Sequence, residues 1–169
     1  LSDDATLRSL TFWMLGSLGE ASGGLLLWVA APALLPVLVG PWLARALDAL
    51  QLGEVPARHM GVRVERLQAV AVVLSAISVG TAVAACGIIG FVGLVVPHLA
   101  RLLFGPAHRA VLPVSALLGA LLLVGADALA RVVVAPGELP IGVVTSLLGV
   151  PSFMVLLRRA RGLGQRGLA

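Results

Sequence analysis

Four stretches of the chain carry no charged residue: Gly23 to Ala44, Leu67 to Pro97, Ala110 to Ala126 and Leu139 to Leu157. Apolar runs of about 18 or more residues read as membrane spans, because a helix needs about 20 to cross the hydrocarbon core. The run from Leu67 to Pro97 is 31 residues long. That is longer than one crossing requires and too short for two full ones. Its middle reads CGIIGFVG, and Gly87, Gly90 and Gly93 weaken a continuous helix there. The pattern predicts an all-α polytopic membrane protein in which this run makes one full crossing and a short return.

The arginines decide between that arrangement and a single crossing, since basic residues collect on the cytoplasmic side. With a single crossing, loop 98–109, holding Arg101 and Arg109, lies opposite the arginine-rich loop 45–66. With a short return, both loops and the tail share one side. That side then collects ten arginines and leaves Arg8 and Arg131 opposite. Five crossings follow, within a single membrane domain covering 1–169. An external segment (1–22) leads into a descending span at about 24–44 and the cytoplasmic loop 45–65. An ascending span covers about 66–86, and a short descending one covers about 91–103, with Pro97 near its middle. The fourth, about 110–131, ascends. The fifth, about 140–158, descends to the tail with Arg158, Arg159 and Arg161.

Composition supports this reading: 59% of residues are hydrophobic, 12% are charged, and the mean hydropathy is +1.06. A soluble domain carries roughly 25% charged residues, and nothing here could form the polar outer face of a soluble helical core. All twelve basic residues are arginine. A P-loop needs its lysine to reach the phosphates, so the chain is not itself a Walker-type ATPase. The single cysteine, Cys86, excludes an internal disulfide or a cysteine-cluster metal site. The chain opens on Leu1 with no charged leader ahead of the spans, so it is expected to begin inside a larger protein. The formal charge of +4 raises nucleic-acid binding. Membrane orientation and anionic lipid account for the arginines instead.

The loop ALDALQLGEVPARHMGV, Ala46 to Val62, is long for a connector, whose median is about 4–6 residues. Gly53 divides it into a leucine-bearing piece, around Arg45 to Leu52, and a second short helix. Pro56 suits the first turn of that helix, Glu54 suits its positive N-terminal end, and Gly61 suits a left-handed cap. A solvated connecting loop is the plainer alternative. Two short helices with exposed leucines and charges point to a partner-docking surface.

Here the residues reach a family. LQLGEVPARHMGVRVER resembles the cytoplasmic coupling loop of FecCD-like permeases, subunits of bacterial type II ABC importers for iron-siderophores, haem and cobalamin. The similarity continues from GIIGFVGLVVPHLARLLFGPAHR to GELPIGVVTSLLGVPSFMVLLRR, and LRSLTFWMLGSLG resembles the external segment ahead of the sixth span. Family permeases have about ten spans, and this chain resembles the C-terminal five.

The resemblance implies a homodimer of permeases in a bacterial inner membrane, with two cytoplasmic ABC ATPase subunits beneath and an extracytoplasmic substrate-binding protein above. It implies that Leu52, Gly53, Glu54, Ala57, Arg58 and Gly61 meet a groove on the ATPase, and that Arg131 meets a carboxylate of the binding protein. No cofactor is implied. The expected function is an ATP-driven permease, with haem favoured by LRSLTFWMLGSLG over siderophore or cobalamin. The alternative is an ATPase-independent secondary transporter or channel subunit. Such proteins place ionisable groups near the bilayer midplane, whereas the first, second and fifth spans hold none away from their ends.

Other residues receive plainer readings. Asp127 and Arg131 stand four apart on one helix face, so an internal pair competes with docking. Glu138 at the start of a span is read as dipole-stabilising. His98 and Arg101 in PHLAR invite a haem-ligand reading, against which a structural role at the cytoplasmic end is preferred. Together with His59 and His108 they make no metal spacing, so no metal site is expected. The prolines of the first span and Gly142, Gly149 and Pro151 of the fifth are assigned to packing. Phe12, Trp13 and Trp28 are assigned to an interfacial aromatic belt.

Overall fold

The computed structural model describes residues 6–7, 11, 13–17, 23–133 and 140–166. The expectations placed on Arg8, Phe12 and Glu138 lie outside these residues. Beyond the helical residues 6–7, 11 and 13–15, six helices follow in order among the described residues: α1 (Gly23–Leu50), α2 (Glu54–His59), α3 (Val64–Cys86), α4 (Val92–Phe104), α5 (His108–Val133) and α6 (Ile141–Arg166). Among the described residues there is no strand.

Helices α1, α3 and α5 are long and apolar enough to cross a membrane, with mean hydropathies of 1.8, 2.2 and 2.0. With 13 residues, α4 is only about 20 Å long, against a hydrocarbon core of about 30 Å. It nevertheless returns the chain. Cys86 ends α3 at one end of the bundle, and His108, just after α4, meets Asp48 at the other. The short return is a property of the fold.

Helix α1 differs from the sequence expectation at its end. The sequence predicts residues 45–50 as a separate leucine-bearing piece of the loop, but they continue α1 without a break to Leu50. The physical reason is local. Between Trp42 and Gln51 there is no glycine or proline, and Ala, Leu and Arg are strong helix formers. Helix α6 likewise runs through Pro151 to Arg166, past the expected span.

In the bundle, α1 packs against α3 and α5, while α5 also packs against α4 and α6, so α5 lies at its centre. The buried side chains at these contacts are small: Ala44, Val95, Val96, Ala100, Val111, Ala126 and Ala130. Small residues let membrane helices approach closely and gain dispersion contacts that lipid does not replace. Much of the large apolar surface faces outward, with Trp28 and Trp42 each 82% exposed. Lipid tails, or further helices, solvate such a surface without penalty.

Proline inside α1 leaves an acceptor that a neighbouring helix satisfies. Pro36 has no N–H, so the carbonyl of Pro32 loses its helical partner. The Ser78 hydroxyl of α3 donates to that carbonyl at 2.7 Å. Ser78→Ala leaves the carbonyl unpaired and is expected to destabilise the α1–α3 contact by about 1 kcal/mol. Thermal unfolding in detergent checks this: an unchanged midpoint would mean the bond contributes nothing.

The opposite end is held by residues 13–17. The Ser17 amide donates to the last carbonyl of α3, Cys86, at 2.9 Å, and the first amide of α6, Ile141, donates to Gly16 at 3.0 Å. One short turn thereby satisfies an orphan acceptor of one helix and an orphan donor of another.

Candidate functional site

At the arginine-rich end, residues 51–63 fold into a compact knob. Gly53 opens it with φ 109° and ψ 162°, a conformation that side chains other than glycine's do not adopt comfortably. Helix α2 then makes one and a half turns. It is closed by the Met60 amide on Pro56 (3.0 Å), Gly61 on Arg58 (2.9 Å) and Val62 on Ala57 (3.0 Å). Gly61, expected as a left-handed cap, has φ 82°.

The knob has an inner and an outer face. Ala57 is 0% exposed, Val64 and Leu67 at the start of α3 are also buried, and α2 packs against both α1 and α3. Leu52, Val55 and Met60 are exposed by 68%, 66% and 54%. Three apolar side chains held outward on a rigid knob are what a partner groove would bury. Ala57, named with the coupling residues, lies on the inner face of the knob with its side chain fully buried. Val55 and Met60 are exposed apolar side chains of the knob that the sequence reading did not single out. Their signal is present in the sequence, since both are apolar residues in a loop otherwise rich in charge.

The charged residues of the knob mainly answer one another. Arg58 Nη2 donates to Glu65 at 2.6 Å and lies 3.8 Å from Glu54, while Gln68 donates to Glu54 at 3.3 Å. All three charged side chains are more than half exposed. Such pairs contribute little stability, but they set the orientation of the outer face.

Beside the knob, Asp48 in the last turn of α1 accepts two bonds from His108, one from its amide (2.9 Å) and one from ring Nδ1 (2.7 Å). Asp48 lies beyond the charge-free stretch 23–44. No sequence pattern points to this contact, which joins residues 60 apart.

At the far end of α5, Arg131 and Asp127 form the anticipated internal pair, with bonds of 2.8 and 3.3 Å. Arg131 remains 64% exposed while so oriented, and an internal pair and an outward role are thus compatible. His98 is half-buried and Arg101 exposed. Among the described residues, no three His, Cys, Asp or Glu side chains converge on a common point. A cleft of about 220 Å³ between α4, α5 and α6 is lined mainly by Phe91, Val95, Leu99 and Leu122. That is below the roughly 300–1,000 Å³ of ordinary ligand sites, so a bulky cargo does not fit within it.

Comparison with known proteins adds the family. Residues 1–159 match the FecCD transport family. The chain is 50% identical over 162 residues to the hemin transport system permease protein HmuU of Yersinia pestis, covering 95% of this chain and 48% of that protein. It is 47% identical over 163 residues to the vitamin B12 import system permease protein BtuC of Vibrio cholerae, covering 94% and 47%. To the Fe(3+) dicitrate transport system permease protein FecD of Escherichia coli it is 43% identical over 166 residues, covering 95% and 51%. A solved chain described as a putative metal-chelate type ABC transporter in an inward-facing conformation superposes with a TM-score of 0.84 at 37% identity. The match covers 90% of this chain and 49% of that one. The chain thus spans about half the length of the curated relatives it matches.

Proposed function

Because the chain belongs to the FecCD transport family, we propose that it forms the C-terminal half of a permease subunit in an ATP-driven importer for haem or a related iron chelate. The permease is a multi-pass inner-membrane protein. It pairs with a second copy around a central pathway, carries no hydrolytic site of its own, and draws on two cytoplasmic ATPase subunits. The knob at residues 51–63 is the coupling element, with Leu52, Val55 and Met60 seated in an ATPase groove. Gly53 and Gly61 shape its two ends, and Glu54 and Arg58 orient it. The observation that carries this reading is the knob itself: an apolar outer face on a rigid support, at the arginine-rich end of the bundle.

Haem is preferred over cobalamin and siderophore because the hemin permease of Yersinia pestis shares 50% identity with this chain. A charge-poor bundle suits bulky cargo that slides without fixed coordination. Arg131, exposed at the outer end of α5, meets a carboxylate on the extracytoplasmic binding protein. Arg131→Glu removes that attraction and adds repulsion. In the assembled transporter it is expected to weaken binding-protein affinity about tenfold, with the ATPase subunits still associated. The loss should shrink as salt rises. Affinity unchanged at low salt would remove Arg131 from the docking surface.

A further inference from the structure

Helix α5 begins without a cap of its own. The residue before His108 is Ala107, whose side chain cannot accept a hydrogen bond, so the first amides of α5 need a partner from elsewhere. Asp48 supplies it from α1, placing a carboxylate at the positive end of the α5 dipole. Nδ1 of the His108 ring lies 2.7 Å from the same oxygen and, when protonated, donates to it. The Gln51 side-chain amide lies 3.2 Å from the same nitrogen. The His108 side chain is 15% exposed. This is a cap borrowed across 60 residues.

Its position gives it a consequence. Asp48 and Gln51 lie immediately before Leu52 and Gly53, where the knob starts. The other side of the knob packs against α3, to which it is bonded through the Arg58–Glu65 pair. A load on the knob therefore passes into α1 and α3, both packed within the bundle, and through Asp48 directly to the first turn of α5. Helix α5 is the central helix of the bundle. Its 26 residues extend about 39 Å and carry Asp127 and Arg131 near the opposite end. Pro113 lies in its second turn and no proline follows.

We infer that Asp48 and His108 form a clasp that transmits displacement of the knob to α5 and so to Arg131 at its outer end. These are positioning residues for transport and touch neither nucleotide nor cargo. The inference rests on the coupling role proposed above for the knob.

The test uses the assembled transporter with its ATPase and binding protein, and reads ATP hydrolysed per haem taken up. Asp48→Ala removes both bonds, His108→Ala removes the ring bond and keeps the amide cap, and Asp48→Asn keeps a capping oxygen without the charge. Asp48→Ala is expected to raise the ATP consumed per haem about fivefold or more, at the lower end of typical coupling effects. His108→Ala should raise it less, and Asp48→Asn should restore most of the wild-type ratio. Where Asp48→Ala yields no folded complex, the comparison of His108→Ala with Asp48→Asn decides by the same ratio. If hydrolysis and uptake fall together at an unchanged ratio, or only thermal stability drops, the clasp is a cap and nothing more. If the wild-type complex itself shows no ATP-dependent uptake, the coupling role fails first and takes the clasp with it.

Discussion

Gly87→Val should abolish recovery of folded protein. Gly87 closes α3 with φ 74°, in the left-handed region, where a β-branched residue is strained by about 1–3 kcal/mol. A second obstacle is steric: a Cβ built at Gly87 overlaps the carbonyl oxygen of Trp13. That oxygen belongs to the turn whose bonds to Cys86 and Ile141 join α3 to α6. The backbone cannot yield without releasing both. Strain, overlap and two lost helix-end bonds together sum to several kcal/mol, a large share of the roughly 5–15 kcal/mol that holds a domain. Gly87→Ala meets the same overlap with less rotamer strain and should be nearly as damaging. Membrane-fraction yield and size-exclusion profile after mild solubilisation check this. A monodisperse Gly87→Val protein at wild-type yield would mean that the 13–17 turn does not hold this end.

Glu54→Arg should leave the fold intact and destroy coupling. The pairs that Glu54 makes, with Arg58 at 3.8 Å and Gln68 at 3.3 Å, are exposed, so their loss costs under about 1 kcal/mol. The reversal nevertheless places a second cation beside Arg58 and at the positive end of α2. Arg58 keeps Glu65 but loses the partner on its own helix, and the outer face carrying Leu52, Val55 and Met60 changes its charge. Uptake is expected to fall by about tenfold or more while ATP hydrolysis by the complex persists. Equal thermal stability and unequal transport would separate this from a folding defect. A variant that transports as well as wild type would mean that Glu54 has no part in docking.

The bundle is legible in the sequence because its signals are local and strong. Charge-free runs mark the helices directly, without any knowledge of packing. Gly87 and Gly90 mark the break before the short return, whereas Gly93 lies inside α4. Glycine also announces both ends of the knob, because Gly53 and Gly61 both take positive φ. What stays hidden is tertiary. That Ala57 turns inward depends on how α2 lies on α3, since a six-residue helix is too short for periodicity to define a face. The Asp48–His108 clasp and the Ser78 bond to Pro32 join residues 60 and 46 apart. Each is visible in the sequence only as an unpaired need: Ala107 cannot cap a helix, and Pro36 strips a carbonyl of its donor. The continuation of α1 to Leu50 escapes a reading that gives Gly53 more weight than the helix-forming run before it.

On the proposed function, this bundle passes cargo only when an ATPase works on its knob. The most direct measurement is haem uptake into proteoliposomes holding the assembled transporter, with binding protein supplied on the outer face and ATP enclosed. Uptake should require ATP, stop when the ATPase subunits are omitted, and show no response to an imposed proton or sodium gradient. Uptake that proceeds without ATPase, or that follows an ion gradient, would contradict this mechanism and restore the carrier or channel reading.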